Sequence, residues 1–189
     1  MGHDPISTQL LTVPQFTLAT MIMVPYCWHS DLHQERTYHY LGSGLVCTLG
    51  FILLAVISNH SIQYFATFFA VIGSYPQSVI LHAWYANNIP QPSRRAVAVG
   101  LIVSMSNAAG FLASNIYRNQ DKPRYVFGHV VCASFAFIGC TLTVLLSAYL
   151  KRENRRRDKI QGIAVKLQGV DASELQDHGD ENVAYRYVT

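Results

Sequence analysis

Gln15, Tyr75, His82 and Asn107 put two amides, a phenol and an imidazole inside long stretches that are otherwise almost wholly apolar. A polar side chain in such a stretch is costly, so each has a reason to be there: meeting a solute or hydrogen-bonding a neighbouring helix. Their spacing gathers them. Tyr75, Ser78 and His82 recur at helical intervals on one face, with Gln77 and Trp84 nearby, and Ser104, Asn107, Phe111 and Asn115 do the same in the next segment. HSDLH (29 to 33) suggests different chemistry. His29 and His33 stand four residues apart, with Glu35 and His39 close by, a spacing that could hold a metal on a helix. One such box supplies too few ligands for a diiron centre, and Asp31 with Arg36 already explains the loop as a polar latch. No nucleophile elbow, phosphate loop or dinucleotide fingerprint occurs. The expectation is therefore no bound metal, no cofactor and no enzymatic activity. Cys27, Cys47, Cys132 and Cys140 each lie in an apolar run, without ligand spacing, and read as buried small hydrophobes.

The elements that carry these residues follow from composition. Half of the 189 residues are hydrophobic and only 13% are charged, against about a quarter in an ordinary water-soluble domain. Of the 25 formal charges, 15 fall after Leu150, so a very apolar body (1–150) joins a polar tail (151–189). A membrane-spanning helix needs about 20 apolar residues. Five segments qualify, at 10–28, 40–57, 62–86, 96–117 and 126–150, and none contains Asp, Glu, Lys or Arg. Buried strands would be shorter and separated by turn signals. Pro14, Pro25 and Pro76 fit membrane helices, whose neighbours can re-satisfy the interrupted backbone. The chain reads as an all-α, polytopic transmembrane bundle, embedded in the lipid bilayer and making no use of nucleic acid.

Orientation comes from the loops. Alternation puts Arg36, Arg94, Arg95 and six basic residues between Lys151 and Lys159 on one side, against Arg118, Lys122 and Arg124 on the other. The positive-inside bias places the tail in the cytoplasm and the N-terminus outside. The nine-residue run KRENRRRDK (151 to 159) suits an anchor drawn to anionic lipid, and beyond 161 the tail is expected to be disordered. Arg118 and Arg124, on the sparsely basic side, serve either as headgroup anchors or as an anion funnel at the outer mouth.

Three runs carry a family resemblance: YPQSVILHAWYANNIPQPSRRAVAVG (75 to 100), SMSNAAGFLASNIYRNQDKPRYVFGH (104 to 129) and KRENRRRDK (151 to 159). Their Tyr-Pro, Ala-Trp, Asn-Asn, basic pair, Ile-Tyr-Arg, Pro-Arg-Tyr and Gly-His elements resemble the second half of the fungal anion:cation symporters, the allantoate/nicotinate permease group of the major facilitator superfamily. Leu32, where an arginine is usual, and Ser106, where a glycine is usual, depart from that pattern. So does IPQPS (89 to 93), which lacks the glycine expected there.

The resemblance implies five helices of the C-terminal half of a major facilitator fold, corresponding to helices eight to twelve. It further implies a truncated or partial proton-coupled permease, in the plasma membrane, for a small organic anion such as allantoate, nicotinate or a similar carboxylate. The central cavity would be lined by Gln15, Tyr75, His82 and Asn107. Asp31, Arg36, Arg94, Arg95, Arg118 and Arg124 would act in loops and gates. The intramembrane cation that an anion requires would come from the missing N-terminal half, or the chain would associate with a second copy. The alternative is a small membrane scaffold or regulator that transports nothing and docks on a full-length permease.

Overall fold

The computed structural model describes residues 5–122, 124–161 and 185–189. Five long helices carry the chain: α1 (Pro5–His33), α2 (Thr37–Val56), α3 (His60–Asn88), α4 (Pro92–Ile116) and α5 (Val126–Gln161). Each is long and apolar enough to cross a membrane, and no β-sheet pairing occurs among the described residues. The shortest, α2, has 20 residues, which at 1.5 Å each span about 30 Å, the thickness of the hydrocarbon core.

Local chemistry sets the ends. The Asn59 side chain accepts from the Ser61 amide at 3.0 Å and starts α3, while Pro92 opens α4, where its missing N–H costs nothing. Between α1 and α2 the turn is tight enough to hold Gln34 at φ 53°, and its side-chain amide donates to the Asp31 carbonyl at 2.9 Å. Two prolines lie inside α1, and the Tyr64 hydroxyl from α3 reaches the Leu11 carbonyl, one turn before Pro14, at 2.9 Å. A neighbouring helix thus hydrogen-bonds to the α1 backbone beside the turn that proline interrupts.

The helices neighbour one another in the order α1–α3–α2–α5, and α4 meets the bundle only slightly, at α5. The α2–α3 seam is the tightest. Gly50 faces the backbone of Ala70, and Gly73 faces Cys47 and the Ser43 carbonyl, where an added Cβ would come within 2.6 Å of that oxygen. Leu54, Ala66 and Ala70 are buried beside Phe51 and Leu53. Small residues let two backbones approach and collect dispersion contacts that lipid cannot replace. α2 and α5 meet through Gly44, set against Cys140 and Gln77, and through a 2.9 Å hydrogen bond from Thr37 to Ser147. Cys47 and Cys140 are buried as small hydrophobes, while Cys27 and Cys132 are half-buried.

α4 is different. None of its residues is buried, and neither Gly100 nor Gly110 has an atom within reach of an added Cβ. α5 also departs from the apolar pattern: it continues eleven residues past Leu150, so the basic run 151–159, assigned to the polar tail, is helical and continuous with the last span. Arg157 and Arg156 pair with Glu153 one turn back, each at 3.1 Å, which supports the helix outside its apolar part. Residues 185–189, expected to be disordered with the rest of the tail, are instead packed against the helix ends; residues 162–184 lie outside the described part.

Candidate functional site

Gln15 is 6% exposed and donates to the Thr67 hydroxyl at 2.8 Å, so its amide joins α1 to α3. The next residue, Phe16, meets the Tyr75 ring at 5.8 Å between centroids, which places Gln15 and Tyr75 along the same α1–α3 seam. Tyr75 keeps a partly exposed ring. His82 lies further along α3, exposed, with Nδ1 2.7 Å from the Ser78 carbonyl and its ring 5.4 Å from Tyr85. Asn107 stands apart. It is exposed on α4, the helix that packs on α5 alone to any extent, so the structure does not bring it to the other three. Elsewhere on α4, Ser104, Ser106, Ser114 and Asn115 hydrogen-bond to carbonyls of their own helix.

A cleft of about 320 Å³ opens among α1, α2 and α3, lined by Ile22, Tyr26, Gly42, Ser43, Gly73 and Pro76, among others. None of the four candidates lines it. Its Tyr26 hydroxyl is committed to the His39 carbonyl at 2.8 Å.

The loop residues divide by side. Arg36 is 4% exposed, forms an ion pair with Asp31 and donates to the Ser30 hydroxyl at 3.2 Å, closing the α1–α2 turn. Arg95 donates to the Ile89 carbonyl at 2.9 Å across the α3–α4 turn, with Arg94 beside it on the first turn of α4. At the opposite end Arg124 donates to the Val56 carbonyl at 3.1 Å and thereby caps α2. Arg118 lies 3.6 Å from Asp121 and 4.9 Å from the Phe127 ring centroid. These geometries fit anchors and caps, with each guanidinium already engaged.

In the HSDLH turn the His29 and His33 rings stack at 4.2 Å, and His29 Nδ1 lies 2.8 Å from His39 Nε2. Among the described residues no group of three or more His, Cys, Asp or Glu side chains is placed to hold a metal.

Sequence reasoning read 151–159 as a lipid anchor and left Trp84 beside a polar face, and it gave none of these residues a partner in the tail. Trp84 and Asn88 at the end of α3, and Asn154 and Arg157 on α5, hold the main chain of residues 185–189. All four lie in the runs that carry the family resemblance. Their shared purpose had no local signal, because the partner segment is 28 to 104 residues away.

Comparison with known proteins covers the whole chain. It is 31% identical over 180 residues to the MFS-type transporter efuF of Hormonema carpetanum, a match covering 94% of this chain and 36% of that protein. The chain is a major-facilitator relative. The major facilitator-type transporter hxnP of Emericella nidulans is 30% identical over 190 residues, covering 99% of this chain and 38% of hxnP. The high-affinity nicotinic acid transporter of Saccharomyces cerevisiae is 26% identical over 188 residues, covering all of this chain and 35% of that transporter. The chain therefore spans little more than a third of the length of the curated major-facilitator relatives it matches. No family model matches the chain, and no solved structure matches it.

Proposed function

We propose that these five helices form part of a major-facilitator transporter that carries a small organic anion, a carboxylate such as nicotinate or allantoate, together with a proton. The carrying observation is the match to named transporters along the entire chain. Two features of the fold support it. α4 has no buried residue, although a helix of such length in a transporter bundle would be partly covered by a facing bundle. Tyr75 and His82 are both exposed on α3, where a hydroxyl and an imidazole could meet a carboxylate, while Gln15 ties α1 to the same helix. The transporter would lie in the plasma membrane with the basic end of α5 in the cytoplasm, as the loop charges favour.

Deleting the locus is expected to lower uptake of labelled nicotinate or allantoate, and the lost uptake should rise as external pH falls and collapse with a protonophore. Unchanged uptake of both anions would overturn the substrate class; uptake indifferent to the protonophore would overturn the coupling. A tag placed after Thr189 at the native locus distinguishes the working unit. A product more than twice 21.1 kDa fits a two-bundle transporter, whereas one near 21.1 kDa plus the tag favours a membrane scaffold.

A further inference from the structure

Residues 185–189 lie extended across the end of the bundle, and the contacts they make are of an unusual kind. The Asn154 side chain donates to the Tyr187 carbonyl at 2.8 Å and accepts from the Tyr187 amide at 2.9 Å. Asn88 does the same for the next residue, donating to the Val188 carbonyl at 3.0 Å and accepting from its amide at 2.8 Å. Successive residues of an extended chain present their N–H and C=O pairs to opposite sides. One asparagine from α3 and one from α5 therefore clamp the strand from its two edges, each as a neighbouring β-strand would.

Side chains complete the groove. Trp84, 2% exposed, donates its indole N–H to the Val188 carbonyl at 2.7 Å. Arg157 donates to the Tyr185 carbonyl at 3.2 Å and lies 4.9 Å from the centroid of the Tyr187 ring. Tyr185, 1% exposed, sends its hydroxyl to the Asn87 carbonyl at 2.9 Å, and its ring meets Tyr187 edge-on at 5.2 Å. Arg186 turns the other way and pairs with Asp158 at 2.8 Å. At the far end the Arg36 amide approaches the Thr189 carbonyl at 3.4 Å. The strand thus joins the α1–α2 turn, the end of α3 and the polar part of α5.

We propose that the ends of α3 and α5 form a peptide-binding site for an extended main chain with aromatic residues at alternate positions. Residues 185–189 are its resident ligand, a releasable clasp across this face. The site reads main-chain groups through Asn88, Asn154 and Trp84, and alternate side chains through Asn87 and Arg157. Removing the strand leaves those polar groups open to a second peptide of the same kind.

Val188→Pro tests this without touching a helix. It deletes the amide that Asn88 accepts, and the residue before a proline favours the extended backbone already present. The probe is a fluorescein-labelled, amidated peptide with the sequence of residues 184–189, titrated by anisotropy against the full chain in nanodiscs. Because a tethered segment competes at high effective concentration, the unmodified chain should exclude the peptide. V188P should bind it at least ten-fold more tightly, and adding Asn88→Ala and Asn154→Ala to V188P should abolish binding. Hydrogen exchange gives the intramolecular readout. The Tyr187 amide should exchange at least ten-fold faster in V188P than in the Val188→Ala control, which keeps every main-chain bond. Equal peptide binding by the unmodified chain and V188P, or a Tyr187 amide already exchanging at the rate of a free peptide, would overturn the proposal.

Discussion

The α2–α3 seam and α4 use the same residue in opposite circumstances. Gly50 and Gly73 lie where another backbone arrives, so a side chain has nowhere to go; Gly100 and Gly110 face open space. All three helices are apolar and glycine-bearing, and hydrophobicity separates none of them from lipid. What separates them is fit. A membrane helix gains little by hiding apolar surface from lipid tails, so close approach and dispersion contacts decide which faces associate. The seam has met its partner within this chain; α4 touches chiefly α5.

Substitutions at the glycines can break that contrast. Gly73→Val should be the most damaging, since the branched side chain would be driven into the α2 backbone at Ser43 and Cys47. Overpacking of this kind costs about 3 kcal/mol, and the monodisperse peak in detergent chromatography should be lost. Survival of that peak with an unchanged melting temperature would mean that the seam is not a close-packed contact. Gly44→Ala should cost less, about 1 kcal/mol, because Gln77 can swing aside although Cys140 has less room; a modest fall in melting temperature would record it. The Gln15–Thr67 hydrogen bond should couple by about 0.6 kcal/mol in a double-mutant cycle, typical of a polar pair between membrane helices. A coupling of zero would free Gln15 from its role as interhelical glue. Smallest of all, Gly100→Ala and Gly110→Ala should leave the melting temperature within the error of an ordinary surface change, about 0.5 kcal/mol. These two also sharpen the comparison: if α4 faces a second bundle in the working transporter, they should depress uptake while leaving the stability of this chain alone.

The same contrast explains what the sequence could convey. Five spans were legible because apolar length and the absence of charge are properties of each segment by itself. The end of α5 was not, since apolar length stops at Leu150 while helix formation is sustained by the Glu153–Arg157 and Glu153–Arg156 pairs. Among the candidate residues, Gln15 stood out by its polarity, yet its hydrogen-bond partner Thr67 is 52 positions away and is a residue type that occurs throughout the chain. Asn107 shared a helical face with other polar residues, but a face says nothing of what it meets. YRYVT (185 to 189) alternates two tyrosines but is too short to signal order by itself; its order comes from two asparagines and a tryptophan supplied by other helices.

α5 has a mechanical consequence. Its 36 residues make a rod of about 54 Å, and the eleven beyond Leu150 stand out by about 16 Å. The apolar part up to Leu150 suits the bilayer, and the eleven residues beyond it carry Asn154, Arg157 and Asp158. A hydrophobic stretch longer than the hydrocarbon is wide, as the apolar part of α5 is, adjusts by tilting. Tilt of α5 would therefore swing its outer end like a lever arm, pulling Asn154 sideways from Asn88 with the strand stretched between them. Bilayer thickness would then be felt as tension on five residues that never enter the membrane.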